Sequence, residues 1–484
     1  MNWADLNLIP AMPELFLIGA LLVVLMLDLF ISDEKRCVTY GLTLLTLVGA
    51  AVAQVCTFTP YPVTTFSGMF VADPLAALVK LAMYGVTAIV LVYSRQYTAD
   101  RGLFKGEYFS LSLFALLGMN LMVSASHFLT LYMGLELLSL ALYSLIALQR
   151  DSVPATESAM KYFVLGALAS GLLLYGISMI YGATGSLELA AVAKAIKSHS
   201  ANGVLLIFGL VFIVAGLSFK LGAVPFHMWV PDVYQGSPTS VTLMVGAAPK
   251  LAAFVFVLRI LAQGLDALVG DWQGMLIIVA VLSMAIGNIT AIVQTNIKRM
   301  LAYSTISHMG FLLLGVLAGT KQGYSAALFY AVVYVAMSLV SFGIILALSR
   351  KGFECEKIDD LKGLNSRNSW YALLMLLAMF SMAGIPPLAG FYAKFAVIQA
   401  VVQIGMIKLA VFSVLMSVIG AFYYLRVVKA IYFDDAQDNA PIAVRADMKL
   451  VLSLNALALL AVGILPQSLL ELCAQVMRQS LGMM

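Results

Sequence analysis

Five ionisable side chains interrupt long apolar runs of this chain: Lys161, Lys220, Lys250, Lys394 and one carboxylate, Glu136. A charge near a bilayer centre costs about 2.5–3.5 kcal/mol on insertion scales, so such residues face a protein interior and mark an ion or proton path. Lysine with glutamate suits proton chemistry. Burial lowers the pKa of a lysine and a nearby carboxylate raises it again, whereas arginine stays charged. A lysine whose carboxylate partner moves between near and far is therefore a proton switch. Lys220 sits beside glycines and a proline, Lys250 lies mid-run in GAAPKLAAF, and Glu136, in LYMGLELLSL, reads as the one acid deep in the membrane. Lys161 falls within the first two turns of its run, where snorkelling to the interface is the alternative. Lys80 and Lys408 lie nearer run ends and read as interfacial. His227 follows Lys220 by seven residues, and His308 follows Ser304 by four, on one helix face. A neutral histidine with hydroxyl neighbours relays protons; either histidine can equally be a satisfied core residue. Tyr424 and Arg426 read as anchors at the membrane boundary.

The elements that must position these residues are transmembrane helices. The chain has 484 residues, 62% hydrophobic and 11% charged, against about 25% charged in soluble domains. A span needs about 20 apolar residues. Fourteen are expected, at 14–31, 38–57, 73–94, 107–124, 127–148, 155–182, 203–230, 238–262, 272–294, 299–318, 322–349, 370–402, 406–433 and 448–477. The first follows an N-terminus without lysine or arginine and reads as a retained span rather than a cleaved signal. Loops after odd-numbered spans hold sixteen lysines and arginines; the other loops and the termini hold five, with Arg259 counted among them. That bias puts the odd loops in the cytoplasm and both termini outside. Residues 185–199 read as a short amphipathic connector.

Two spans look broken. The seventh contains Gly216, Gly222 and Pro225; the twelfth contains Gly384, Pro386, Pro387 and Gly390. Proline removes an internal hydrogen bond, and the freed carbonyls need partners in lipid. The breaks are five spans apart. A five-span unit has odd parity, so its repeat must be inverted, as in transporters with paired broken helices. The expected architecture is an all-α polytopic membrane protein with two inverted five-helix repeats. Helices 4–8 (107–262) form one and helices 9–13 (272–433) the other, flanked by residues 1–106 and 448–484. Four scattered cysteines and four histidines show no metal spacing, and no nucleotide-binding fingerprint is present. No bound cofactor, metal or nucleic acid is expected on this chain.

The strings SFKLGAVPFHMWVPDVYQGSPTSV, NIKRMLAYSTISHMGF and AGIPPLAGFYAKF resemble the antiporter-like membrane subunits of proton-pumping NADH–quinone oxidoreductase, respiratory complex I. Subunits of multi-subunit cation/proton antiporters share that pattern and are the alternative, with a non-pumping spacer as a third reading. The resemblance implies that Glu136, Lys161, Lys220, Lys250 and Lys394 carry protons, with His227 and His308 as relay neighbours. It implies redox chemistry in other subunits, which bind NADH, FMN, iron–sulfur clusters and quinone. The implied partners are the homologous subunits M and L, the small membrane subunits K, J, A and H, and lipid, in a bacterial inner membrane. The length leaves no room for the long lateral helix of subunit L. Subunit M typically has glutamate where Lys394 stands, so the resemblance points to the remaining antiporter-like paralogue.

Overall fold

A computed structural model describes residues 7–198, 201–438 and 440–481. The extreme ends of the two expected flanking segments, and His199 at the end of the expected connector, lie outside the described residues. The long helices are α1 (Met12–Asp28), α2 (Cys37–Cys56), α3 (Pro74–Asp100), α4 (Gly106–Val123), α5 (Phe128–Ile146) and α6 (Val153–Thr184). A short connector, α7 (Leu189–Lys197), precedes α8 (Gly203–Leu221), α9 (Trp229–Gly236), α10 (Thr239–Gly246) and α11 (Ala248–Leu258). Then come α12 (Val269–Ile292), α13 (Ile297–Leu317), α14 (Lys321–Leu348), the single turn α15 (Leu364–Arg367), α16 (Ser369–Ala383) and α17 (Ala389–Gln403). The chain closes with α18 (Ile407–Phe433), α19 (Ala446–Ile464) and α20 (Pro466–Ser480). A hairpin, β1 (Val63–Thr65) with β2 (Phe70–Ala72), joins α2 to α3.

Thirteen of these segments are long and apolar enough to cross a membrane, and the short apolar α16 adds a fourteenth with α17. The number of crossings matches the expectation. Because that number is even, both described ends lie on the face that carries the hairpin: Thr65 donates to the Asn7 carbonyl at 2.7 Å, and the Leu75 amide donates to Ser480 at 2.8 Å. The opposite face, which we call the loop face, carries the 349–368 connection.

Three boundaries differ from expectation. The eighth span is also broken, at Ala247 (φ −108, ψ −101), between α10 and α11. Its only warning was Gly246 with Pro249, and proline in a first helical turn looks the same as proline inside a continuing helix. The fourteenth span ends at Ile464, because Leu465 leaves helical geometry and Pro466 opens α20. α20 is amphipathic: Cys473, Val476 and Met477 are buried, while Glu471 and Arg478 are exposed. Arg259 belongs to no loop; it opens a buried π-helical turn, Arg259–Gly264, that continues α11.

Small residues set the tightest crossings, as expected where lipid supplies no hydrophobic drive between helices. A Cβ on Gly134 of α5 would lie 2.7 Å from the Met122 nitrogen of α4, and one on Gly118 would lie 2.5 Å from the Leu138 nitrogen. Between α12 and α13, a Cβ on Gly287 would lie 2.7 Å from the Ser307 nitrogen and one on Gly310 2.9 Å from the Ala280 carbonyl. Gly134→Val should force α4 and α5 apart and cost about 1–3 kcal/mol. A lowered thermal midpoint of the detergent-solubilised protein, measured beside Gly19→Val at a glycine with open space around it, checks this.

Candidate proton-translocation site

Three of the lysines are buried against helix ends. Lys220 is the penultimate residue of α8 and 8% exposed; its Nζ donates to Ser139 Oγ of α5 at 2.9 Å. Gly222 follows in a left-handed conformation (φ 77) and stops the helix. Lys250, 2% exposed, stands in the first turn of α11 and donates to the Leu221 carbonyl at 2.8 Å. Its ammonium lies 5.4 Å from the Trp229 ring centroid. Lys394, 7% exposed in α17, donates to the Ala383 carbonyl at 2.9 Å and to Ser417 Oγ at 3.0 Å, with the Phe311 ring 5.1 Å away. Ala383 is the last residue of α16, and Gly384 (φ 87) stops that helix. Lys250 and Lys394 thus use one device at two places: the ammonium meets the final carbonyl of a helix stopped by a left-handed glycine. A helix C-terminus carries partial negative charge and unsatisfied carbonyls, so each break supplies the acceptor that a buried lysine requires.

Glu136 is half-buried on α5, and Ser170 of α6 donates to its carboxylate. Among the described residues it forms no ion pair with Lys220; Ser139, three residues on, is the group that Lys220 touches. Lys161 stands apart from these residues. It is largely exposed and bonds Glu157 at 2.8 Å and Asp232 at 2.9 Å. Asp232 also accepts from Arg299 at 2.8 Å. These groups line a cavity of about 490 Å³ open to the loop face, together with Lys298, Glu354 and Glu356. His227 lies in the bend between α8 and α9, half-buried, so the helix does not resume in time to put it on the face of Lys220.

His308 is 2% exposed; its Nδ1 is 2.6 Å from the Tyr330 hydroxyl and its Nε2 3.0 Å from Tyr424. Ser304 also bonds the Tyr424 hydroxyl, at 2.5 Å. Tyr424 is therefore not a boundary anchor. It is 1% exposed and joins α18 to the His308 helix. Its neighbour Arg426 does bond loop-side carbonyls, those of Ile292 and Gln294.

Two acids at the hairpin-face ends of their helices are more completely buried in protein than Glu136. Glu14 and Lys80 form an ion pair of 2.5 Å whose side chains are 4% and 1% exposed, so Lys80, in the second turn of α3, is buried in protein rather than extended to the interface. Asp73 and Arg259 form another, 2.7 Å long, with 0% and 1% exposed. Arg259 donates further to the Val123 carbonyl through Nε and Nη2 and to Gln263 through Nη1. The sequence signal for both pairs was faint. Each acid sits near the start of its helix, where acids are common caps, and each base near an apparent span end.

Fourteen helical crossings, two of them broken beside a buried lysine and a third broken just before one, define the antiporter-like class of membrane protein. Residues 125–420 match the family described as NADH:quinone oxidoreductase/Mrp antiporter, TM. The chain is 65% identical over the whole of both sequences to NADH-quinone oxidoreductase subunit N of Laribacter hongkongensis. Among solved structures it is similar to a chain of respiratory complex I from Thermus thermophilus with bound aureothin. That likeness has 31% identity and a TM-score of 0.81, covering 96% of this chain and 100% of that one. The fold is also that of a chain in the Mrp complex from Dietzia sp. DQ12-45-1b (TM-score 0.84, 23% identity, 98% of this chain and 97% of that one). The chain belongs to the subunit N family of NADH-quinone oxidoreductase.

Removing one partner of a buried ion pair strands the other charge, at a cost of about 3–5 kcal/mol. Asp73→Asn should therefore destabilise the protein strongly, and Asp73→Asn with Arg259→Met should recover part of the loss. Thermal unfolding of the two variants in one detergent measures the difference.

Proposed function

We propose that this chain is a proton-translocating membrane-arm subunit of NADH-quinone oxidoreductase, and that its protons move along Glu136, Lys220, Lys250 and Lys394. The single observation that carries the path is the shared geometry of Lys250 and Lys394, each buried on the last carbonyl of a broken helix. NADH, FMN, iron–sulfur clusters and quinone belong to other subunits in this reading. Quinone chemistry there shifts a charge toward or away from Glu136. With Glu136 near, Lys220 keeps its proton; when the pairing loosens, the proton passes toward Lys250, and Lys394 releases one on the far side. Each step is a pKa change driven by a moved charge. Moving one charge against 100 mV costs about 2.3 kcal/mol, which a change of about two pKa units covers at about 1.4 kcal/mol each.

The half-buried position of Glu136 supports contact with a neighbouring subunit, since a carboxylate at membrane depth is not left against lipid. Subunits M and L, with the small subunits K, J, A and H, are the partners we assign. Lys161 belongs to the loop-face cavity in this scheme, where Asp232 and Arg299 hold it; His308 with Tyr424 and Tyr330 serves the second half, and His227 lines the bend below Lys220. Close crossings set by glycines recur between α4 and α5 and between α12 and α13, the first two spans of each unit, which supports the division into inverted repeats at 107–262 and 272–433. Ammonium groups at the deep positions repel metal cations, which favours protons over sodium as cargo.

Lys220→Ala should abolish most NADH-driven acidification of inverted membrane vesicles. Unchanged pumping by a fully assembled complex would remove Lys220 from the path. If position 394 needs only a proton-carrying group, Lys394→Glu should keep partial pumping while Lys394→Ala loses most; equal loss in both would mean that the ammonium itself is required.

Orientation follows from the basic loops, sixteen residues against four once Arg259 is assigned to the membrane. We place the loop face in the cytoplasm and the hairpin face, with both termini, in the periplasm. In a background lacking Cys37, Cys56, Cys355 and Cys473, Ser366→Cys should resist a membrane-impermeant thiol reagent in spheroplasts and react in inverted vesicles. Gln467→Cys on α20 should do the reverse. Labelling of both from one side would break the crossing parity.

A further inference from the structure

One face of α3 carries buried polar groups that the lysine row does not use. Lys80, Tyr84, Thr87, Ser94 and Thr98 follow alternating spacings of four, three, seven and four, which keeps them on one side of the helix. Leu91, 1% exposed, holds the one apolar position in that register. Native structures leave few buried polar atoms unpaired, and where such atoms cluster, water fills the gap. Among the described residues, Thr87 Oγ1 of α3 and Asn120 Oδ1 of α4 are buried without a hydrogen-bond partner. Ser94 Oγ, the facing Tyr108 hydroxyl of α4 and Ser240 Oγ of α10 are buried together and have only one another as partners.

These groups fall into two sets. Toward the loop face, the Tyr97 hydroxyl (3.0 Å) and Thr239 Oγ1 (2.5 Å) both donate to Glu354, which lines the 490 Å³ cavity. One turn deeper, Ser94 and Ser240 flank the Tyr108 hydroxyl. Toward the hairpin face, Tyr84 accepts from Asn120 at 2.6 Å, and the Glu14–Lys80 pair lies one turn above it. The Phe70 ring of β2 roofs that pair, its centroid 5.1 Å from Lys80 Nζ. Two turns further along α3, Asp73 and Arg259 line a second cavity of about 740 Å³. Between Thr87 and Ser94 the helix rises about 10.5 Å, and Leu91 stands in that gap.

We propose that α3 carries a second proton path across the membrane, built as two hydrated half-files that meet at Leu91. One runs from Glu354 to Ser94, the other from the Asp73 cavity past Glu14 and Lys80 to Thr87. Protons enter the half-files past Glu354, which Arg101 also binds, or past Glu14, and move through the intervening hydroxyls and water, with no other reactant. Proton transfer needs donors and acceptors about 3 Å apart, so one packed leucine side chain interrupts the file. The interruption is required, because a continuous file would dissipate the gradient that the pump builds. The path shares no residue with the row from Glu136 to Lys394.

The test is passive proton permeability of the assembled complex in vesicles with a trapped pH dye, without NADH or quinone. Leu91→Ser and the closer-sized Leu91→Asn should collapse an imposed pH gradient several-fold faster than the native complex. Adding Glu14→Gln or Thr87→Val should restore the native rate, whereas adding Lys220→Ala should leave the leak in place. Native rates in both leucine variants, in complexes that still reduce quinone, overturn the proposal; so does a leak that survives Glu14→Gln. A second measurement leaves Leu91 intact. In the cysteine-free background, Thr87→Cys should react with silver ion only from the hairpin face and Ser94→Cys only from the loop face. Two unreactive thiols would show a dry helix face and overturn the proposal.

Discussion

A lysine ammonium in hydrocarbon needs an acceptor that the protein fixes in place, and an intact helix has none to spare, since its carbonyls are already bonded within the helix. The structure resolves the conflict by ending helices inside the membrane. Leu221 and Ala383 give their carbonyls to Lys250 and Lys394 because Gly222 and Gly384 stop the chain from bonding them. The requirement reaches outward. A stopped helix leaves backbone that must be buried in protein, so α19 packs over the second break so closely that a Cβ on Gly463 would lie 2.0 Å from the Pro387 carbonyl. The inner helices α13 and α14 are buried almost all round for the same reason.

The same constraint explains what could be read from the residues alone. Lysines deep in apolar runs, and prolines with glycines beside them, are visible without a structure because each is costly where it stands. The crossing number, the two broken helices and the deep placement of Lys220, Lys250 and Lys394 followed from that. The short connector was legible too, as Leu189–Lys197.

What escaped notice was cheap in sequence and costly only in three dimensions. Glu14 looks like an ordinary acid in a first turn and Asp73 like an ordinary helix cap; only the fold brings Lys80 and Arg259 to them across 66 and 186 residues of chain. Pro249 at the start of α11 leaves no trace that distinguishes a restart from a continuation. Tyr424 was misplaced because aromatic residues near a span end usually do sit at the boundary, whereas here α18 runs inward past His308. Spacing along the chain cannot tell that Lys220 touches Ser139 rather than Glu136, which lies three residues away on the same helix.

The Glu14–Lys80 pair also has a consequence for biosynthesis. A ribosome adds about 5–20 residues per second, so Glu14 waits roughly 3–13 s for Lys80 to be made, and Asp73 waits roughly 9–37 s for Arg259. Throughout that interval α1 carries its carboxyl group toward the membrane without the ammonium that later neutralises it. The nascent α1 therefore holds Glu14 without its partner until α3 emerges. Docking of α1 against α3 is thus a delayed event, and a ribosome stalled before residue 80 would leave α1 without the partner that buries Glu14.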